Sequence, residues 1–343
     1  MRAVNVAVLG ATGAVGQEIL DILAEREFPI KSLKLLASPR SAGKTLKYND
    51  VEHVVEALSP DKFDNVDIAF FSAGSSVSKQ WAKAAVEAGC IVIDNSSAFR
   101  MAPDVPLVVP EVNKDAIKQH NGIIANPNCS TIIMAVAIKP IYDVVGIKRI
   151  VTSTYQAVSG AGHRAITELE EQVHAYTDQK HIQADVLPVA SLPNHYPILF
   201  NVIPQIDIPG DGGYTKEEWK MVNETQKIFN DTSMKITATT VRVPVIRSHS
   251  ESINIETHEK LSVEECRKLI AQAPGLKLVD DLQAQIYPMP IDTSKQDLVW
   301  VGRIREDMSI ERGLNLWVVG DQIRKGAALN SVQIAEHVIS NQR

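Results

Sequence analysis

Cysteine is scarce in this chain: three thiols, Cys90, Cys129 and Cys266, among 343 residues. An odd, sparse count offers no disulfide framework and suits a reducing compartment. No two of them stand at zinc-ligand spacing, so no metal site is expected. Long apolar runs are missing too. None approaches the ~20 residues that cross a bilayer. The opening MRAVNVAVLGATG carries one basic residue and an apolar run broken by glycine, which reads as a buried strand and not as a signal peptide. Cytoplasmic residence without a membrane partner is therefore expected. Positive charge is not in excess: the formal net charge is -6, which disfavours nucleic acid as a partner. Internal repeats and low-complexity stretches are absent. With 45% apolar and 22% charged residues, long disorder is excluded.

What is present is room for two domains. The first third alternates strand and helix. Residues 4–9 (VNVAVL) form a continuous apolar run, as a strand buried on both faces requires. Residues 14–25 place Val15, Ile19, Ile22 and Leu23 on one helical face. Further strands are expected at 33–37, 67–72 and 91–94, with a helix around 79–88. Such alternation implies a parallel sheet with right-handed crossovers. From about Ile147 the pattern shifts to runs such as IKRIVTSTYQAV, ITATTVRVPVI and SINIETHE, which imply a mixed sheet with helices on one face. A Pro- and Gly-rich stretch from Leu187 to Gly213 must be largely loop. The segments 314–319 and 321–339 read as strand then helix, returning to the first domain. The expected fold is α/β: a Rossmann-type parallel-sheet domain (1–128 and 316–343) plus an α+β catalytic and dimerisation domain with a mixed sheet (129–315).

The first strand runs into G-A-T-G-A-V-G, with Gly10, Gly13 and Gly16 every third residue. Glycines let backbone approach a pyrophosphate, which then rests on the helix N-terminus. The strand before and amphipathic helix after supply the context this motif needs. Gly10, Thr12, Gly13, Ala14 and Val15 are the expected cradle. NAD enzymes place an acid about 20 positions on, for the ribose hydroxyl. Here Ser38, Arg40 and Ser41 follow the second strand, with Lys44 close behind. A guanidinium and two hydroxyls suit a 2′-phosphate, so the expected cofactor is NADP.

The candidate nucleophile is Cys129. A strand-like run ends at Asn126, Pro127 and Asn128 turn the chain, and a helix begins near the thiol. A helix N-terminus favours thiolate, and its N–H groups can stabilise an oxyanion. Cys90 enters a core strand, and Cys266 shares a helical face with Val263, Leu269 and Ile270, so both read as packing.

The stretches GATGAVG, DNSSAFR (94–100), ANPNCST (125–131), QAVSGAG (156–162) and VRVPVIRSHSE (241–251) occur in the order seen in bacterial aspartate-semialdehyde dehydrogenases, and the chain resembles that family over nearly its whole length. The resemblance implies a homodimer or homotetramer. It also implies small-molecule substrates: aspartate 4-semialdehyde, phosphate and NADP⁺ exchange with aspartyl 4-phosphate and NADPH, the biosynthetic flux running reductively towards lysine, diaminopimelate, methionine, threonine and isoleucine. Cys129 then attacks the carbonyl and His249 acts as general base. Gln156 orients the acyl group. Arg242 clamps the α-carboxylate, Glu217 meets the amino group, and Lys220 with Arg100 binds phosphate. Asn128, beside the thiol, joins the substrate site. Ser159 and Gly160 lie near the nicotinamide, and Gln322 completes the cofactor site. Each role fits its chemistry: histidine titrates near neutrality, guanidinium pairs bidentately with carboxylate, and an amide both donates and accepts.

Two other readings compete. N-acetyl-glutamyl-phosphate reductase and glyceraldehyde-3-phosphate dehydrogenase share the chemistry, but the first has glycine where Asn128 stands and the second a different cysteine neighbourhood. A non-catalytic NADP-binding sensor would keep the glycine loop and Arg40 yet need no thiol, base or anion clamp.

Overall fold

The computed structural model describes residues 2–341; Met1, Gln342 and Arg343, at the ends of the expected first domain, lie outside the described residues. The chain divides into two compact units, Met1–Asn128 with Gly326–Arg343, and Cys129–Lys325.

The first unit is a seven-stranded sheet: β1 (Val4–Leu9), β2 (Ile30–Ala37), β3 (Thr45–Tyr48), β4 (Val51–Ala57), β5 (Ile68–Phe71), β6 (Ile91–Asp94) and β7 (Ile123–Ala125), in the order β3-β4-β2-β1-β5-β6-β7. All neighbours are parallel except β3 and β4, an antiparallel edge pair with little sequence signal. Successive residues of β1 serve opposite faces, as strand geometry demands. Val4, Val6 and Val8 meet Ile19 and Leu23 of the helix Ala14–Glu25 and Val332 and Ala335 of the helix Leu329–Asn341; Ala7 and Leu9 meet Phe71, Ala82 and Ala85. The chain leaves β1 towards β2 on one side, while β5 lies on the other. The carboxyl end of β1 is thus a topological switch point, where such sheets bind ligands.

The second unit carries a six-stranded mixed sheet. Its strands are β8 (Ile147–Gln156), β9 (Lys235–Arg242), β10 (His249–Thr257), β11 (Leu276–Leu278), β12 (Val299–Glu306) and β13 (Gly313–Gly320), in the order β11-β12-β13-β10-β8-β9. The pairs β8/β9 and β11/β12 are parallel and the rest antiparallel. The helix Cys129–Val145 lies on this sheet, so close that a Cβ on Gly320 would come within 3.0 Å of Ile133. Strand β13 pairs with β10 and β12 and therefore belongs to this unit. The return to the first unit falls between Lys325 and Gly326, ten residues later than the expected 315/316. The strand itself was expected; its sheet was not, because an apolar strand carries no mark of which sheet it joins. Residues 187–213 are mostly irregular, and they and the two residues before them are held by side chains of the helix His163–Thr177. Glu168 there accepts from the backbone N–H groups of Asp185 and Val186, and Gln172 from Ile198 and Leu199. No helix among the described residues is long and apolar enough to cross a membrane.

Candidate active site

The glycine loop sits at the switch point. Gly10 has φ 84°, and a Cβ there would lie 2.9 Å from Ser72. A Cβ on Gly16 would lie 2.2 Å from the Gly10 carbonyl oxygen, so only glycine lets helix and strand approach this closely. Gly13 is the N-cap of the helix Ala14–Glu25 and offers no capping side chain. Gly13 and Ala14 are exposed, and Thr12 and Val15 are partly so. The Gly10 N–H donates to the Leu36 carbonyl at 2.8 Å, tying the loop to the end of β2. There the chain makes a short turn, Pro39–Ser41, with Ser38 and Arg40 exposed and Ser41 half-buried. These are the donors of an anion cradle: helix N-terminal N–H groups, two hydroxyls and a guanidinium.

Arg100 and Asn128 belong to the same unit. Arg100 is buried; its Nε donates to the Asn126 carbonyl and its Nη2 to the Asn95 carbonyl, both at 2.9 Å. Asn330 Nδ2 donates to Asn126 Oδ1 at 2.7 Å and so stiffens the same segment. Asn128 is buried at the segment's end.

The second unit assembles Cys129, Gln156, Glu217, Lys220, Arg242 and His249. Cys129 is the first residue of its helix and is partly exposed. The other thiols are sealed: burial pushes Cys90 up to about 11 and Cys266 up to about 12. Gln156 ends β8 and pairs in register with Arg242, the last residue of β9. His249 opens β10. Three strand ends thus bring these side chains into one row.

Within it the hydrogen bonds are specific. The Ala157 N–H donates to His249 Nδ1 at 3.0 Å. A backbone N–H can only donate, so Nδ1 is bare and the neutral ring carries its proton on Nε2. Burial, then the Arg242 charge, holds the imidazole well below its ordinary range. The ring is thus uncharged and set to donate. The expected general-base role requires Nδ1 to give up Ala157 before a second proton can bind. Gln156 Nε2 lies 3.3 Å from His249 Nε2 and donates to Glu217 Oε1 at 3.2 Å, while Thr154 Oγ1 donates to Gln156 Oε1 at 2.9 Å. Those two bonds fix the amide's orientation. Arg242 Nη1 donates to the Ala157 carbonyl at 2.7 Å. Burial pulls the guanidinium down from its usual value, against the upward pull of Glu217 and Cys129. A Cβ on Gly160 would press at 3.0–3.1 Å on Arg242 and His249, so glycine is what fits there.

Glu217 and Glu218 separate cleanly. Thr215 and Glu218 form a capping box at the start of the helix Lys216–Phe229, and the other oxygen of Glu218 accepts from the Thr240 N–H at 3.0 Å. Glu217, also buried, faces Gln156 and Lys220 instead. Lys220 Nζ lies 3.0 Å from Glu217 and 2.7 Å from Asp207. Burial works to lower this ammonium, but Glu217 and Asp207 outweigh it and the net shift is upward. Gln322 Nε2 donates to the Ser159 hydroxyl, and its Oε1 accepts from the Ser248 N–H at 2.8 Å. Asp207 and the Ala157 N–H were not singled out in sequence. Asp207 sits in the irregular stretch, where nothing local marks a partner. Among the described residues no cluster of three or more His, Cys, Asp or Glu could hold a metal.

Two family models match the chain: "Semialdehyde dehydrogenase, NAD binding domain" over residues 5–120, and "Semialdehyde dehydrogenase, dimerisation domain" over 138–325. The aspartate-semialdehyde dehydrogenase of Synechocystis sp. is 52% identical, across 98% of this chain and 97% of its own length. That of Bacillus subtilis is 51% identical over the same shares. The crystal structure of aspartate semialdehyde dehydrogenase II from Vibrio cholerae, complexed with ASA, is 48% identical, covers 99% of each chain and superposes with a TM-score of 0.95. The Candida albicans aspartate semialdehyde dehydrogenase with NADP is 26% identical over 98% of each chain, with a TM-score of 0.75.

Proposed function

We propose that this chain, which belongs to the aspartate-semialdehyde dehydrogenase family, interconverts L-aspartate 4-semialdehyde and L-aspartyl 4-phosphate through a thioester on Cys129, with flux in the reductive direction. The observation that carries it is one partly exposed thiol at a helix N-terminus, close enough for its charge to act on the buried Arg242, which shares a row with Gln156 and His249 while Glu217 accepts from Gln156. A binding-only sensor needs no such row.

The glycine cradle, Ser38, Arg40 and Ser41 suit NADP, with Ser159, Gly160 and Gln322 as further contacts. When bound, NADP supplies the hydride acceptor that takes the thiohemiacetal on Cys129 to the thioester. The protein's own groups do the rest. Cys129 Sγ adds to the aldehyde carbon as thiolate, favoured by the helix N-terminus and by Arg242. His249 Nε2 and Gln156 Nε2 both carry hydrogens and stand 3.3 Å apart, a donor pair for one acyl oxygen. Arg242 holds the α-carboxylate and Glu217 the ammonium of the substrate, which fixes the carbonyl over the thiol. Phosphate, drawn by Lys220 and Arg100 and placed by Asn128, attacks the acyl carbon; the C–S bond breaks and the thiolate is regenerated.

The dimerisation-domain match supports a homo-oligomer, a dimer or a tetramer. A reactive thiol suits the reducing cytoplasm. The testing experiment is an absorbance assay of nicotinamide reduction with aspartate semialdehyde, phosphate and NADP, with N-acetyl-glutamate semialdehyde in competition. Turnover of the acetylated compound at equal rate would sink the substrate assignment.

A further inference from the structure

One carboxyl in the second unit has no evident work. Glu251 lies on β10 two residues beyond His249, hence on the same sheet face. It is completely buried, and neither of its oxygens has a hydrogen-bond partner. In register it sits opposite Thr154, which donates to Gln156, and Thr154 in turn sits opposite Thr240. Thr154 and Thr240 are fully buried, and the Thr240 hydroxyl oxygen is also without a partner. A polar row, Thr240–Thr154–Glu251, therefore runs directly beneath the row Arg242–Gln156–His249. A bare carboxylate stripped of water and given no donor is among the costliest groups a protein can hold, so this one keeps its proton.

We infer that Glu251 is a positioning residue of the reaction: an uncharged carboxylic acid beneath the catalytic row that leaves Glu217 as the charged carboxylate that meets the substrate ammonium. The inference rests on the reading of Glu217 as the ammonium acceptor. The carboxyls are linked: burial first, then the charge of Glu217, drives Glu251 well above the ordinary carboxylate range. The effect is mutual, so a charge on Glu251 would raise Glu217 in turn.

Neighbouring charged groups of the catalytic row and of the helix Lys216–Phe229 are engaged elsewhere. His249 on β10 is neutral, and Arg242 on β9 is bound to the Ala157 carbonyl. On the helix Lys216–Phe229, Glu218 is spent on two N–H groups and Lys220 on Asp207 and Glu217, while Glu224 is buried. Cys129 begins the remaining helix. None of these gives Glu251 a counter-ion.

The test compares the wild type with Glu251→Gln, an uncharged isostere, in KM for aspartate semialdehyde across the alkaline range. KM for phosphate is the control. Deprotonation of the substrate amine affects both enzymes equally and cancels. The expected result is a wild-type semialdehyde KM that climbs on the alkaline side more steeply than the variant's. At neutral pH the variant's kcat/KM should stay within about threefold of wild type, because a neutral acid has been replaced by a neutral amide. An infrared difference spectrum of the two proteins should show a carboxylic-acid C=O band. Superimposable KM profiles would overturn the inference, since a residue that only fills space shifts no pH profile. So would a loss above about 100-fold at neutral pH, or a carboxylate band, either of which marks Glu251 as an anion. Glu217→Gln separates the two readings. If it leaves semialdehyde KM unchanged, the ammonium assignment fails. If it raises KM while the Glu251→Gln profiles superimpose, only the present inference fails.

Discussion

The main chain of Ala157 dictates the protonation of His249. Its N–H, 3.0 Å from Nδ1, leaves Nε2 as the proton-bearing nitrogen of the neutral ring, and burial beside Arg242 keeps that ring uncharged. The acid limb of kcat/KM should therefore fall well below the ordinary histidine value of about 6.5. The sign for stability follows. The unfolded ring charges as pH drops below about 6.5 while the folded ring does not, so the contribution is full above that pH and is lost as pH falls from there towards the folded value. A pH–rate profile checks the kinetic part. An inflection at the free-histidine value that vanishes in His249→Gln would contradict it.

The three thiols should differ sharply in reactivity. Cys90 and Cys266 are sealed and raised, whereas Cys129 is half-exposed at a helix N-terminus. Limited iodoacetamide, followed by peptide mapping, should label Cys129 first, and substrate should protect it. Cys129→Ala should lower phosphate-dependent turnover by at least about 1,000-fold and leave NADP affinity intact. Appreciable turnover in that variant would refute the thioester route.

Arg40 stands exposed at the end of β2, beside the glycine loop that Gly10 ties to Leu36. Arg40→Ala should weaken NADP by about 10- to 100-fold, the scale of a hydrogen bond to a charged group. NAD, which lacks the 2′-phosphate, should be almost unaffected. Titration of both cofactors by fluorescence or calorimetry decides the matter, and an equal loss for the two would remove the 2′-phosphate assignment.

Adjacent glutamates should fail in different ways. Glu218 closes a capping box and accepts the Thr240 N–H, so Glu218→Gln should cost stability on the order of 1 kcal/mol and spare KM. Glu217 faces Gln156 and Lys220, so Glu217→Gln should raise semialdehyde KM about tenfold or more with little loss of stability. Denaturation curves and KM values for the pair check both halves; reversed phenotypes would mean the roles are exchanged.

What could be read from sequence was whatever is encoded locally. The apolar run of β1, the glycine triplet and the helical face of Ile19 and Leu23 are periodic or short-range, and each element appeared with its expected bounds. Cys129 was legible for the same reason, because a turn and a helix start lie within its own heptapeptide. Long-range pairing was not legible. Nothing in LNLWVV says that β13 joins β10 and not the first sheet. Nothing near Asp207 announces Lys220, thirteen residues away across irregular chain. His249 and Gln156 meet only because β8 and β10 pair, and that depends on register. The Ala157 N–H, a backbone donor, has no side-chain signature at all.

The buried acid at 251 also bears on stability. Glu251 is shifted upward, mainly by burial, so folding near neutrality takes up a proton that the unfolded carboxyl has already shed. Stability from this group is full below the unfolded value of about 4.3 and declines as pH rises towards the folded value. Glu251→Gln has no proton to take up. It should therefore unfold at higher denaturant than wild type at pH 7, and the gap should close as pH is lowered towards 4. Two urea series, at neutral and at acid pH, measure this directly. A gap that stays constant between them would mean that the side chain is ionised in the folded protein, or that the amide gains a contact the acid lacks.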